Sequence, residues 1–312
     1  MFADFANVWS IVGAARQLAP GKLLPLTIAG ERVVFFRDAN GAPAALIDRC
    51  PHRGVALSLG KLCDGIVECP FHGWRFDGTG ANRMVPWNPD AKRDLLGATA
   101  LPVREINGLL WLHTGPEATA EPDPGETLLR RDLACVVQSA LWRTHWTRAM
   151  ENMLDMPHLP FVHRRTIGRD MAQEGTERME VRWTETPRGG RIENMTPGRE
   201  QQARLDFLYP NAMELVIDPP GRTLRIVAVC LPEAANTTRM IFATYRSFAK
   251  ARVLDPLFRF ANRRIAKEDQ AILESSDPPE VPPAAQEKSV RTDAPTLAFR
   301  KLYLERLKGS CS

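Results

Sequence analysis

Between Leu24 and Leu112 the apolar residues come in short runs, "LPLTIAG", "RVVFFRDANGAPAALIDRC", "GIVECPFHGWRFDGTGA" and "GLLWLHTG", separated by turn-forming residues. Runs of this length, rich in β-branched and aromatic side chains, predict strands, and Asn40-Gly41 inside one of them predicts a tight hairpin. This half is therefore expected to be an antiparallel β domain. The segment "GPEATAEPDPGETLL" that follows supports neither period, so the boundary is expected near residues 115 to 127, between domains 1–116 and 117–312. Beyond it, "CVVQSALWRTHWTRAMENMLDMPHL" passes from a strand-like run toward a helix. "RMEVRWTETP", "ARLDFLYP", "AMELVID", "TLRIVAVCLP" and "TRMIFATYRSF" then predict sheet strands. From Pro256 to Ser275 the period becomes helical, and "TLAFRKLYLERLKG" is a last amphipathic stretch. The proline-rich "DPPEVPPAAQEKSVRTDAP" between them cannot be a helix interior and reads as a wrapping loop. The expected fold class is α+β, with helices on one side of a multistranded sheet.

Composition narrows the setting more than the chemistry. At 312 residues, 44% apolar and 25% charged, the chain has room for two cores. A net charge of +4 against 41 basic and 37 acidic side chains argues for neither nucleic acid nor membrane. No apolar run approaches the roughly 20 residues of a membrane helix. The first 25 residues place an acid where a secretion signal would be basic, so they read as mature sequence. Six cysteines are scattered at 50, 63, 69, 135, 230 and 311, which suits a reducing, cytoplasmic compartment. Cys63 reads as a small buried hydrophobe.

Two cysteines stand in another pattern. Cys50-Pro-His52 and Cys69-Pro-Phe-His72 each pair a thiol with an imidazole, with sixteen residues between them. Structural zinc modules usually pair like with like, whereas here each loop mixes the two donors. One cysteine and one histidine from each of two loops is the requirement of a Rieske [2Fe-2S] centre, in which one iron takes both thiolates and the other both imidazoles.

A second group of donors lies in "ENMLDMPHLPFVHRRTIG", with Asp155, His158 and His163 inside nine residues. Asp155 and His158 are three apart and would share a helix face. His163 is off that face, so the helix is expected to deform or end at Pro157 and Pro160. Two histidines become an oxygen-activating iron site when one carboxylate completes a 2-His-1-carboxylate triad. The residues alone leave Asp206, Glu214, Asp218, Glu268 and Asp269 as candidates. In "LFRFANRRIAKEDQAILESS", Leu257, Ala261, Ile265, Ile272 and Leu273 form an apolar stripe with Asp269 near its centre and Glu268 toward its edge. The remaining histidines, His113 and His145, have apolar and aromatic neighbours and read as structural, and Arg164, Arg165 and Arg169 as a solvated face.

"CPHRGVALS" followed by "CPFHGWRFDGTG" resembles the Rieske motif of ring-hydroxylating and demethylating oxygenases, and the likeness runs from about Trp9 to the final helix. High-potential Rieske proteins of respiratory complexes carry a further cysteine in the second loop; Phe71 stands there, as in the low-potential oxygenase type. "DMPHLPFVH" and "KEDQAILE" resemble the family's iron-binding segments. The resemblance implies Cys50, His52, Cys69 and His72 as cluster ligands and His158, His163 and Asp269 as ligands of a mononuclear Fe(II). It implies Asp155 as the bridge that carries electrons from His72 of a neighbouring subunit in a head-to-tail homotrimer. It also implies a helix-grip (START-like) second domain, O2 as co-substrate, and NAD(P)H acting through a separate flavin and iron-sulfur reductase or a ferredoxin. No nucleotide-binding fingerprint occurs in the chain itself. The length is closer to the vanillate-demethylase type than to the large subunits of aromatic dioxygenases. Hydroxylation or oxidative demethylation of a small apolar, aromatic or polycyclic substrate is therefore expected ahead of cis-dihydroxylation, with a plain electron carrier as the remaining rival.

Overall fold

In the computed structural model the turn-forming residues end strands where the pattern places them. Residues 1–169, 171, 179–195 and 203–311 are described, and the backbone separates after Pro124 into two units. The first contains three small antiparallel sheets. One orders β1 (Trp9–Ala14), β11 (Leu109–His113) and β10 (Val103–Ile106). A second orders β2 (Leu24–Ile28), β3 (Glu31–Arg37), β4 (Pro43–Ile47) and β9 (Ala100–Leu101). The third orders β5 (Lys61–Cys63), β6 (Ile66–Glu68), β7 (Arg75–Phe76) and β8 (Asn82–Met84). Strand β1 lies in the opening stretch to which the sequence reading assigns no element. One core packs Val34, Phe36 and Leu46 against Leu57, Val67 and Phe76, and Cys50 and Cys69 are buried in it.

The second unit is built on one antiparallel sheet, in the order β12 (Ala134–Trp142), β18 (Thr237–Arg246), β17 (Leu224–Ala234), β16 (Ala212–Val216), β15 (Arg204–Leu208), β14 (Gly189–Asn194) and β13 (Val181–Thr186). Strand β14 is absent from the sequence reading, and Arg178, which opens the run assigned to β13, lies outside the described residues. Register aligns Phe207, Met213, Ala228 and Phe242 across four strands, so their side chains share a face with Leu205, Leu215 and Ile226. Helices cover that face: Phe299 of helix Ala294–Arg306 meets Phe207 edge-on, and Asn262 of helix Asp255–Leu273 donates to Thr244. The opposite face carries Arg191, Arg204, Asp206, Glu214 and Arg225.

A buried ion cluster ties helix Trp146–Leu154 to the carboxy-terminal elements. Arg148 and Arg300 both bind Glu151 and Glu287, and their remaining donors reach the carbonyls of Pro278 and Pro282. The proline-rich loop is thereby held from both sides. The hydrogen bond from Arg148, and behind it that from Arg300, lowers the Glu287 carboxyl from its ordinary 4.5 to about 2 against the cost of burial. A folded value below the unfolded one means that the stabilisation is complete above about pH 4.5 and is lost as pH falls toward 2. Glu287→Gln is expected to cost about 1–3 kcal/mol at pH 7, with the gap to wild type narrowing between pH 4.5 and 3 in thermal melts. A gap independent of pH would contradict it.

Candidate metal centres

The two Cys-His loops fold alike although their histidines are out of register. Cys50 donates its backbone N–H to Val55 and accepts from Gly54; Cys69 donates to Trp74 and accepts from Gly73. Both glycines have left-handed φ, 73° and 68°, which a side chain would strain. Within these matching turns the imidazole comes two residues after Cys50 and three after Cys69. The thiols lie inside and the rings outside: Cys50 and Cys69 are buried, His52 is half-buried and His72 exposed. The rings meet edge to face at 4.6 Å between centroids, and Trp74 stacks flat on His52. Buried Asp48 accepts from both the backbone N–H and the hydroxyl of Ser58, bracing the first loop.

The second constellation lies in the other unit. Helix Trp146–Leu154 ends at Asp155, whose backbone is extended, and a short helix, Leu159–Val162, runs between His158 and His163. The expectation that Asp155 and His158 share a helix face is corrected. Pro157 disfavours helical conformation at Met156, so the chain leaves the helix before His158 and re-enters with Pro160 in the first turn. Asp269 comes from helix Asp255–Leu273, more than a hundred residues later, and is 3% exposed. The inward residues of that helix are Ala266, Asp269 and Leu273; of the stripe read from the sequence Leu273 alone is among them, while Leu257 is 64% and Ile272 56% exposed. The acid, not the apolar run, marks the side that faces the histidines.

One donor atom from each of His158, His163 and Asp269 lies within 4.8 Å of the others. Asp269 Oδ1 is 3.0 Å from His163 Nε2 and 3.6 Å from His158 Nε2. Each far ring nitrogen faces a second carboxylate: His163 Nδ1 is 2.8 Å from Glu268, and His158 Nδ1 is 3.7 Å from Asp155, beyond hydrogen-bond length. With the His163 proton on Nδ1 toward Glu268, the two Nε2 lone pairs and a carboxylate oxygen converge without a proton between them. A cation suits that arrangement. Among the described residues, buried Asp269 Oδ1 and His158 Nδ1 have no hydrogen-bond partner. Burial opposes a charged His163 ring, but Asp269 and then Glu268 outweigh it and hold the ring above its usual range.

The cluster loops give a parallel indication. Burial, seconded by the Cys69 thiol, raises Cys50 to about 11, and a thiolate there needs a cationic partner. Burial and the charge of His72 depress His52, as a neutral imidazole ligand requires, and buried His52 Nδ1 has no partner. Both donor sets therefore fit metal. Cys63, read as buried, is exposed: it lies on a three-residue strand whose inward residue is Leu62. His113 is buried, with Nδ1 3.1 Å from the Gly115 carbonyl. His145 caps helix Trp146–Leu154 through Thr147. Arg164, Arg165 and Arg169 are exposed. Sequence reasoning missed the contact of Glu268 with His163; the two adjacent acids "ED" in a helical run were its signal.

Known proteins share both halves of this arrangement. Residues 8–99 match the Rieske [2Fe-2S] domain, and residues 142–308, more than half the chain, match the vanillate O-demethylase oxygenase C-terminal domain. The chain is therefore of the Rieske class, with a Rieske [2Fe-2S] domain followed by an oxygenase C-terminal domain. Within that class it belongs to the family defined by the vanillate O-demethylase oxygenase C-terminal domain. Chlorophyllide a oxygenase of Chlamydomonas reinhardtii is 30% identical over 72% of this chain and 32% of its own length. The dicamba O-demethylase oxygenase component of Stenotrophomonas maltophilia is 34% identical over 51% of this chain and 47% of its own. The chain thus spans about a third to a half of the curated relatives it matches. Dicamba monooxygenase bound to 3,6-dichlorosalicylic acid superposes with TM-score 0.82 over 99% of both chains at 21% identity. Pseudomonas putida CBB5 NdmA with caffeine gives 0.83 over 96% of this chain and 90% of its own at 23% identity. These two likenesses concern the fold.

Proposed function

We propose that this chain is the terminal oxygenase of an electron-transfer system, hydroxylating or oxidatively demethylating a small, mainly apolar substrate. The observation that carries this reading is the convergence of His158, His163 and Asp269 on one point, in a chain that also pairs Cys50 and Cys69 with His52 and His72. In this reading the cluster is held by Cys50, Cys69, His52 and His72, and the mononuclear iron by His158, His163 and Asp269. When bound, these groups supply one-electron transfer and dioxygen activation.

The residues themselves do the rest. Cys50 and Cys69 anchor one side of the cluster site in the core while His52 and His72 present the other side to a partner. Asp155 faces the outer nitrogen of His158 from a half-exposed position, which suits an acid that joins this ring to the His72 of a neighbouring subunit in a homotrimer. Leu205, Phe207, Met213, Leu215, Ile226 and Ala228 form the apolar helix-covered face of the sheet, a surface suited to an aromatic or polycyclic substrate and to excluding water. No described helix is long and apolar enough to cross a membrane. Cys50, Cys63, Cys69, Cys135 and Cys230 form no disulfide, which suits a reducing compartment, the cytoplasm; electrons would come from NAD(P)H through a flavin and iron-sulfur reductase or a ferredoxin.

The protein loaded with iron and cluster, supplied with electrons by a surrogate reductase, is expected to consume oxygen in step with product on a panel of aromatic methyl ethers, N-methyl heterocycles and polycyclic hydrocarbons. Methyl substrates should release formaldehyde stoichiometrically. A cis-diol product would favour the dihydroxylating alternative. Reduction of an external acceptor with no product from any substrate would favour a plain electron carrier.

A further inference from the structure

We propose that Glu268 is a positioning residue for His163, held in place by Thr166, so that consecutive residues of one helix grip the two edges of one imidazole. Asp269 Oδ1 lies 3.0 Å from Nε2 and Glu268 Oε2 2.8 Å from Nδ1. The Thr166 hydroxyl donates to the same Glu268 oxygen at 2.7 Å, and its backbone N–H closes a turn on the His163 carbonyl at 2.8 Å. Ring, threonine and carboxylate therefore form one closed unit. Neighbouring helical residues point about 100° apart, which lets 268 and 269 reach opposite nitrogens without distorting the backbone. An acceptor at Nδ1 fixes the tautomer that presents the Nε2 lone pair to a metal, and it strengthens that nitrogen as a donor.

The comparison with His158 sharpens the assignment. Its outer nitrogen has Asp155 at 3.7 Å and no hydrogen bond, so among the described residues His163, and not His158, is locked by side chains of its own chain. Glu268 is about a quarter exposed and borders a surface groove lined by Phe260, Arg263, Arg264 and Lys267. Its charge is thus not fully desolvated. The inference rests on the proposed iron site and is tested by metal binding rather than by turnover.

Fe(II) affinity would be measured by competition with a chromophoric chelator, with the visible absorption of the Rieske cluster showing that the protein and its cluster stay intact. Glu268→Leu should weaken Fe(II) binding about 10–100-fold. Glu268→Gln, whose amide oxygen accepts the same proton, should recover most of that loss. Thr166→Val should weaken binding about fivefold, the worth of one hydrogen bond. Affinity within twofold of wild type in Glu268→Leu overturns the proposal, as does a Glu268→Gln protein as weak as Glu268→Leu. If Glu268→Leu does not fold, an unchanged Thr166→Val overturns it. Asp269→Ala separates the two levels: if it loses iron while Glu268→Leu keeps it, only the positioning role fails; if it keeps iron, the iron-site reading fails.

Discussion

Asp269→Ala is expected to abolish substrate oxidation and to leave the visible spectrum of the Rieske cluster unchanged. Asp269 Oδ1 is the atom on which both histidine Nε2 atoms converge, and removing it leaves two neutral donors that hold a divalent iron poorly. Loss of an outer partner of a metal ligand typically costs 10–100-fold, so losing the ligand itself should exceed about 100-fold in turnover. The fold should survive, because the carboxylate oxygen that disappears is buried and satisfied by no hydrogen bond. Without that charge the two imidazoles beside it stay neutral, so its removal adds no desolvation cost. The measurement is iron content, melting temperature and oxygen uptake coupled to product, side by side with wild type. Product formation near the wild-type rate would remove Asp269 from the catalytic assignment.

Asp155→Asn should separate electron delivery from metal binding. The side chain keeps its size, and Asp155 makes no hydrogen bond to His158, so both metals should remain. In the proposed homotrimer, loss of the carboxylate charge should slow the path between His158 and the cluster side of a neighbouring subunit. Reoxidation of the prereduced cluster, followed at its visible band after mixing with oxygen and substrate, is expected to slow about 10–100-fold. Product per electron should stay unchanged. Reoxidation at the wild-type rate would mean that electrons do not pass by Asp155.

How far the local sequence reaches is clear from where it stops. The turn residues place most strands, because a hairpin depends on a few neighbouring φ angles. Cys50 with His52, and Cys69 with His72, lie within single turns, so their spacing already limits the chemistry. The same is true of His158 and His163, which flank one short helix. The third corner did not follow from pattern. Several acids remain open on the residues alone, and the apolar stripe that points to Asp269 includes Leu257 and Ile272, which are exposed in this chain. Asp269 lies on the buried face although most of that stripe does not.

What the sequence by itself determined, then, is the donor types, their pairing within turns and the two-domain α+β character. These follow from interactions between residues a few positions apart. Only the tertiary structure decided that helix Asp255–Leu273 turns Asp269 toward two histidines more than a hundred residues earlier, that Glu268 takes the other edge of the same ring, and that Cys63 faces outward. The first two outcomes depend on how a helix rotates as it packs, and the third on which face of a short strand the core covers. Helical periodicity leaves that rotation undetermined wherever apolar residues occur on more than one face.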